Sequence, residues 1–123
     1  MNLPAPQRAA GPRRPPDGRQ TVGGGVKVRP YELLFVLRPD LDDAQTEGAI
    51  DRVRQLVEQQ GGTVDQIDRW GRRKLAYEIR HFRDGYYVVF RFKAPPAAIA
   101  EIERVLNITD EVIRFLTVRL DED

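Results

Sequence analysis

The chain has 123 residues, which is the length of one compact domain. Hydrophobic residues make up 41% of it, enough for a core, and charged residues 32%, which indicates a strongly solvated surface. It contains no run of about 18 apolar residues, which excludes a membrane-spanning helix. Cysteine and serine are absent and His81 is the only histidine, which excludes disulfides, thiolate metal sites, serine or cysteine nucleophiles and two-histidine metal sites. The composition therefore predicts a protein that is not an enzyme, with no metal and no cofactor.

The net charge of +1 is unevenly distributed along the chain. Residues 1–29 contain six basic residues and one acid, which gives +5, whereas residues 30–123 contain 14 basic and 18 acidic residues, which gives −4. A basic arm on a mildly acidic domain is typical of nucleic-acid binders. Residues 1–28 are rich in Pro, Gly and Arg, with too few apolar side chains to offset the entropy of ordering. They are predicted to be a disordered basic extension, and residues 29–123 the folded domain.

The first predicted elements are a strand and a helix. Tyr31 to Leu37 is apolar on both faces, which indicates a central strand. Asp42 is a plausible N-cap for the helix that follows, with Gln45 in the capping-box position. Gly61 and Gly62 then provide a natural helix stop.

The second half of the chain repeats the pattern with an additional strand. The first predicted element is a long strand from Thr63 to about Arg80, with a bulge or bend at Gly71, followed by a turn at Asp84-Gly85. A strand from Tyr86 to Phe92, a helix opened by Pro95-Pro96 and a last strand from Val112 to Leu120 complete the prediction. The order β-α-β-β-α-β predicts the α+β ferredoxin-like fold, a four-stranded antiparallel sheet with two helices on one face. The other face has no predicted cover although the central strands are apolar on both sides, so we expect a partner to dock there.

Basic residues concentrate between positions 69 and 83. Six of these fifteen residues are Arg or Lys and only Glu78 is acidic, which indicates a positive patch suited to phosphates. Trp70 and His81 could stack on an unpaired base. The alternative interpretations are an edge strand whose charges deter aggregation and, for Trp70, ordinary packing.

These residues carry a family resemblance. The run from Trp70 to Ile79, WGRRKLAYEI, resembles the signature of the bacterial small-subunit ribosomal protein six family, W-G-R-R-x-L-A-Y-x-I. Four shorter matches occur in order, at Arg29 with Tyr31-Glu32, at Pro39-Asp40, at Gly85-Tyr86-Tyr87, and at Asp110 with Val112-Ile113-Arg114. The resemblance extends from Arg29 to about Asp121.

The resemblance implies a structural role in the cytoplasm, on the small ribosomal subunit. Members bind the central domain, or platform, of 16S ribosomal RNA jointly with small-subunit protein eighteen as a heterodimer, and no membrane or small-molecule substrate is implied. The resemblance implies that five residues of this sequence contact RNA, namely Arg29, Arg72, Arg73, Lys74 and Arg119. The expected partner surface contains Val36 and Val89, and replacing either by Asp is expected to weaken the heterodimer while leaving the fold intact.

Two other functions fit the sequence less well. A regulatory small-molecule-binding domain on the same fold would need a polar pocket, and the sequence has no Gly/Asn/Ser cluster to build one. An acylphosphatase-like enzyme would need a phosphate-binding loop after the first strand, where Arg38-Pro39-Asp40 places an acid at the anion position. Members of the family typically begin where Arg29 stands. Residues 1–28 are therefore either a basic RNA-binding arm or the product of a start site set too early, with Val28 as the true initiator. Some members also carry a long acidic C-terminal tail, whereas this sequence stops at Asp123.

Overall fold

The computed structural model describes residues 27–121, and the predicted extension lies outside these residues except for Lys27 and Val28. In chain order the elements are β1 (Arg29–Leu37), α1 (Asp43–Gln59), β2 (Thr63–Ile79), β3 (Phe82–Ala94), α2 (Ala98–Ile108) and β4 (Val112–Arg119). The β-α-β-β-α-β order is the predicted one.

The four strands form one antiparallel sheet in the order β2-β3-β1-β4. The two strands that are apolar on both faces, β1 and β3, are its central strands, as predicted. Alternate β1 residues such as Leu33 and Phe35 share one buried cluster with Ile50 of α1 and Ile102 of α2. Both helices therefore cover the same face, and the α+β ferredoxin-like fold is confirmed. The sheet face away from the helices is called the open face below.

Helix α1 begins and ends where local chemistry predicts. The Asp42 carboxylate accepts a hydrogen bond from the Gln45 backbone N–H (2.7 Å), and the Gln45 side-chain oxygen accepts one from the Asp42 N–H (2.9 Å). This reciprocal capping box satisfies two of the free N–H groups of the first turn. The chain leaves the helix through Gly61, whose φ of +89° favours glycine.

The turn between β2 and β3 differs from the prediction. It lies at Arg80 and His81, whose φ values of +49° and +70° are both left-handed, as a two-residue hairpin turn requires. Gly85 instead lies within β3. This position requires glycine because a Cβ there would lie 2.2 Å from Val36 Cγ1. Arg80 also donates hydrogen bonds to the backbone oxygens of Asp110 and Val112, which hold this turn against the α2–β4 loop.

The end of β2 folds over the open face. Between the Lys74–Asp84 and Ile79–Phe82 pairs the register shifts, so that four residues of β2 stand opposite one of β3. The excess length forms a segment, residues 75–79, called the β2 tip. Tyr77 in this tip accepts a hydrogen bond from Arg114 of β4, the strand at the opposite edge of the sheet. The tip therefore extends across the open face and covers part of it.

Candidate nucleic-acid interface

Positive charge without a carboxylate partner is concentrated in one segment of β2. Of the Arg and Lys side chains between Arg29 and Asp121, eleven form an ion pair with a carboxylate of the described residues. The four that have no such pair there are Arg72, Arg73, Lys74 and Arg114. Three of these four are consecutive, exposed and on an edge strand. A phosphate can bind them without first displacing a carboxylate.

The three consecutive cations project to both sides of the edge strand. Arg72 stands opposite Tyr86 of β3 and Arg73 opposite Gly85, so their side chains alternate between the two faces of the sheet. The Arg72 guanidinium donates to the Pro39 carbonyl oxygen at 2.9 Å, and the Arg73 guanidinium lies 5.2 Å from the centre of the Trp70 ring. These contacts orient both guanidinium groups and leave their charges uncompensated. The arrangement can therefore bind phosphates along the edge.

Other cations of the predicted patch have structural partners. Arg69 makes a two-pronged contact with Glu47 of α1, both distances being 2.8 Å, and its hydrogen bond lowers the pKa of the Glu47 carboxyl. Arg83 lies 3.5 Å from Glu78, and Arg80 holds the hairpin turn. The sequence grouped these cations with Arg72 to Lys74, but the structure separates anchoring side chains from uncompensated ones.

The five RNA-contact candidates form two groups. Arg29 pairs with Ala94 at one end of β3, whereas Arg72 pairs with Tyr86. Eight residues of strand separate these positions, about 27 Å at the usual rise. The structure therefore brings Arg72, Arg73 and Lys74 together and places Arg29 and Arg119 elsewhere.

The distant group shares one carboxylate. Arg119 and Arg29 both lie beside Asp121, with N–O distances of 2.6 and 3.2 Å. The hydrogen bond from Arg119, followed by the charges of Arg119 and Arg29, lowers the pKa of the Asp121 carboxyl. This end of the sheet carries less uncompensated charge than the edge of β2.

The two predicted partner residues are buried. Val36 and Val89 are 1% and 5% exposed, so the expectation that they lie open for docking is wrong. Val36 occupies the space left by Gly85, and Leu75 of the β2 tip packs beside the same position. The part of Val36 and Val89 in a partner interface stays a prediction, but an Asp at either position would bury a charge, so the expectation that the fold stays intact is wrong. Besides Trp70, the exposed apolar side chains of this face include Tyr77, Leu116 and Val118, which the sequence pattern did not indicate.

A groove runs along the open face between the β2 tip and β4. It is lined by Leu34, Val36, Leu75, Ala76, Tyr77, Ile79, Tyr87, Arg114, Phe115 and Leu116. Most of these side chains are apolar. Leu34 and Leu116 alternate with core-facing neighbours along their strands, so the sequence pattern could have placed both on the open face. The position of Tyr77 over this face depends on the register shift in β2.

The described residues contain no group of three or more His, Cys, Asp or Glu side chains placed to hold a metal ion. Within residues 27–121, neither helix is long and apolar enough to cross a membrane.

Comparison with known proteins identifies the family. The family model described as ribosomal protein S6 matches residues 30–119. The small ribosomal subunit protein bS6 of Moorella thermoacetica is 48% identical over 96 residues, which is 78% of this chain and 98% of that protein. The bS6 of Carboxydothermus hydrogenoformans is 46% identical over 95 residues, which is 77% of this chain and 99% of the relative.

A solved structure agrees with the sequence matches. The crystal structure of 30S ribosomal protein S6 from Thermotoga maritima superimposes with a TM-score of 0.72 at 35% identity, covering 76% of this chain and 89% of the other. Members of this family are RNA-binding components of the small ribosomal subunit in the bacterial cytoplasm, which is the assignment that the Trp70–Ile79 signature indicated. The chain therefore belongs to the ribosomal protein S6 family.

Proposed function

We propose that this protein is a non-enzymatic structural constituent of the small ribosomal subunit that binds the central domain of 16S ribosomal RNA together with small-subunit protein eighteen. The observation that carries the proposal is the run Arg72, Arg73 and Lys74, three exposed consecutive cations with no carboxylate partner among the described residues.

Phosphate contacts account for the RNA affinity. Arginine donates two parallel hydrogen bonds to a phosphate, and each phosphate contact releases condensed counterions. Such contacts set the position of the protein on the RNA, while the shape of the RNA supplies specificity. Arg29 and Arg119 form a second, weaker contact point because Asp121 competes for both.

The open-face groove is the docking surface for protein eighteen. Leu116 is 53% exposed and stands beside the groove floor formed by Leu34 and Val36. Exposed apolar side chains in a contiguous strip mark protein contact sites. Val36 and Val89 support this strip from beneath, so a partner contacts their neighbours more than the valines themselves.

The test is binding to a central-domain fragment of 16S ribosomal RNA with and without protein eighteen. Tight binding is expected only when the partner is present, and Arg72→Ala/Arg73→Ala is expected to weaken it strongly. If neither mixture binds while the protein is folded, the proposal fails. The regulatory small-molecule-binding domain is then the next function to test, by ligand screening.

The partner surface has its own matched pair of variants. Leu116→Asp on the open face is expected to weaken the complex with protein eighteen by at least tenfold, since a charge at the centre of an interface opposes association. Ile108→Asp is the control, because Ile108 is also exposed (71%) but lies at the end of α2. Equal affinities for the two variants, measured by titration calorimetry, would place the partner elsewhere.

A further inference from the structure

Trp70 is exposed although indole is one of the most extensively buried side chains in proteins. It is the only tryptophan of the chain, and 49% of its surface is accessible. The register of β2 shifts between Arg69 and Gly71, and Gly71 has a φ of +84°. This bulge places Trp70 at an irregularity of an edge strand, where a side chain is presented outward instead of packing into the sheet.

Two neighbours fix the plane of the indole. The Tyr87 ring lies nearly parallel to it, with 7° between the planes and 6.4 Å between the ring centres. The Arg73 guanidinium lies 5.2 Å from the indole centre, a cation–π contact. An aromatic surface held in one orientation loses little side-chain entropy when a flat ligand stacks on it.

The surroundings of Trp70 favour a ligand that is both flat and anionic. Arg72, Arg73 and Lys74 follow it within four residues and have no carboxylate partner in the described part of the chain. Asp68, the carboxylate nearest in sequence, already accepts a hydrogen bond from Gln66. A Cβ added at Gly71 would meet nothing within 4 Å, so the backbone beside the indole is open to approach.

We propose that Trp70 is a stacking platform for one unpaired base of the bound RNA, whose flanking phosphates are held by Arg73 and its two basic neighbours. The proposal rests on the RNA-binding function proposed above and adds that the RNA is unpaired where it contacts Trp70. A base paired within a helix does not expose the face needed for such stacking, whereas a base in a loop or bulge does. The site therefore selects single-stranded nucleotides.

The intrinsic fluorescence of Trp70 gives a direct test, since no other tryptophan contributes to the signal. The probes are oligouridylate and a duplex RNA with the same number of phosphates. Oligouridylate is expected to quench the emission in proportion to binding, and the duplex to bind with little quenching. Equal quenching by both probes, or none by bound oligouridylate, would overturn the proposal.

Variants separate stacking from charge. Trp70→Ala is expected to lower the affinity for labelled oligouridylate by roughly 5- to 150-fold with an unchanged dependence on salt, and Trp70→Phe is expected to retain most of the affinity. Ile108→Ala, which removes an exposed apolar side chain at the end of α2, is the control. The fluorescence measurement uses the unaltered protein, so the test survives if Trp70→Ala does not fold. Unchanged affinity in folded Trp70→Ala would refute stacking.

The central-domain fragment distinguishes failure of this inference from failure of the proposed function. If the unaltered protein binds that fragment with protein eighteen, and Trp70→Ala binds it equally well, the ribosomal proposal stands and stacking is refuted. If the protein stacks oligouridylate on Trp70 but never binds the fragment, stacking stands and the ribosomal proposal fails. If protein eighteen quenches Trp70 and RNA does not, Trp70 is a protein contact and stacking is refuted.

Discussion

The absence of carboxylate partners at Arg72, Arg73 and Lys74 leads to a quantitative prediction about salt dependence. Replacing all three by Ala removes three cations that are free to contact phosphates. Each phosphate contact contributes about 0.7 to the slope of log affinity against log salt concentration on a single strand and about 0.9 on a duplex. The triple variant is therefore expected to lower that slope by about 2.1 if the contacted RNA is single-stranded and by about 2.7 if it is paired.

A charge-matched control decides whether the reduced slope results from the position of the cations or from the change in net charge. Arg52 and Arg104 are also exposed and Arg54 is partly exposed, but each pairs with a helix or loop carboxylate at 2.5–2.9 Å. Their replacement by Ala changes the net charge by the same three units. A phosphate would have to displace those carboxylates, so the control is expected to lower the slope by less than about 1.

The assay is filter binding or fluorescence anisotropy with the central-domain fragment and protein eighteen, between about 50 and 200 mM salt. Circular dichroism and urea unfolding verify that both triple variants are folded. Equal reductions of the slope in the two variants would refute the reasoning, because affinity would then depend on total charge and not on uncompensated cations at one edge.

Three further predictions concern the fold that positions this edge. Val36→Asp is expected to lower the free energy of unfolding by about 3 kcal/mol or more, since it buries a charge at a site that is 1% exposed; an unchanged urea midpoint would contradict this. Asp42→Ala is expected to cost about 1 kcal/mol in the same assay through loss of the capping box, with Asp42→Asn as the conservative control. The pKa of the Asp121 carboxyl is lower in the folded protein than in the unfolded chain. Ionised Asp121 therefore contributes its full stabilisation at pH values above its pKa in the unfolded chain, and this stabilisation disappears as the pH falls through its pKa in the folded protein. The stability difference between the unaltered protein and Asp121→Asn is therefore expected to be constant near neutral pH and to vanish in acid; a difference that grows in acid would contradict it.

Interactions between residues close in sequence were sufficient to predict most of the architecture. The capping box at Asp42 and Gln45, the helix stop at Gly61 and the bulge at Gly71 each depend on neighbours within a few residues, and the structure has all three. The central position of β1 followed from its apolar residues on both faces. The family signature then required only the identity and spacing of residues in β2.

Three features depended on contacts between residues distant in sequence. The hairpin turn lies at Arg80 and His81, two residues without a turn signal, because Arg80 bonds the backbone about 30 residues further on. The burial of Val36 depends on Gly85 and on the register shift that folds Leu75 over the open face. Neither effect is encoded in a short window of sequence.

The division of the cations is the third such feature and the one that matters most for function. The sequence by itself determined the order of the elements, the family and the presence of a basic segment, since all three are written in local patterns. It did not determine that Arg69 is paired with Glu47, or Arg29 with Asp121 across 92 residues, while Arg72 to Lys74 have no carboxylate partner in the described chain. Only the tertiary structure decided this, because a charge is compensated by the groups that folding brings near it.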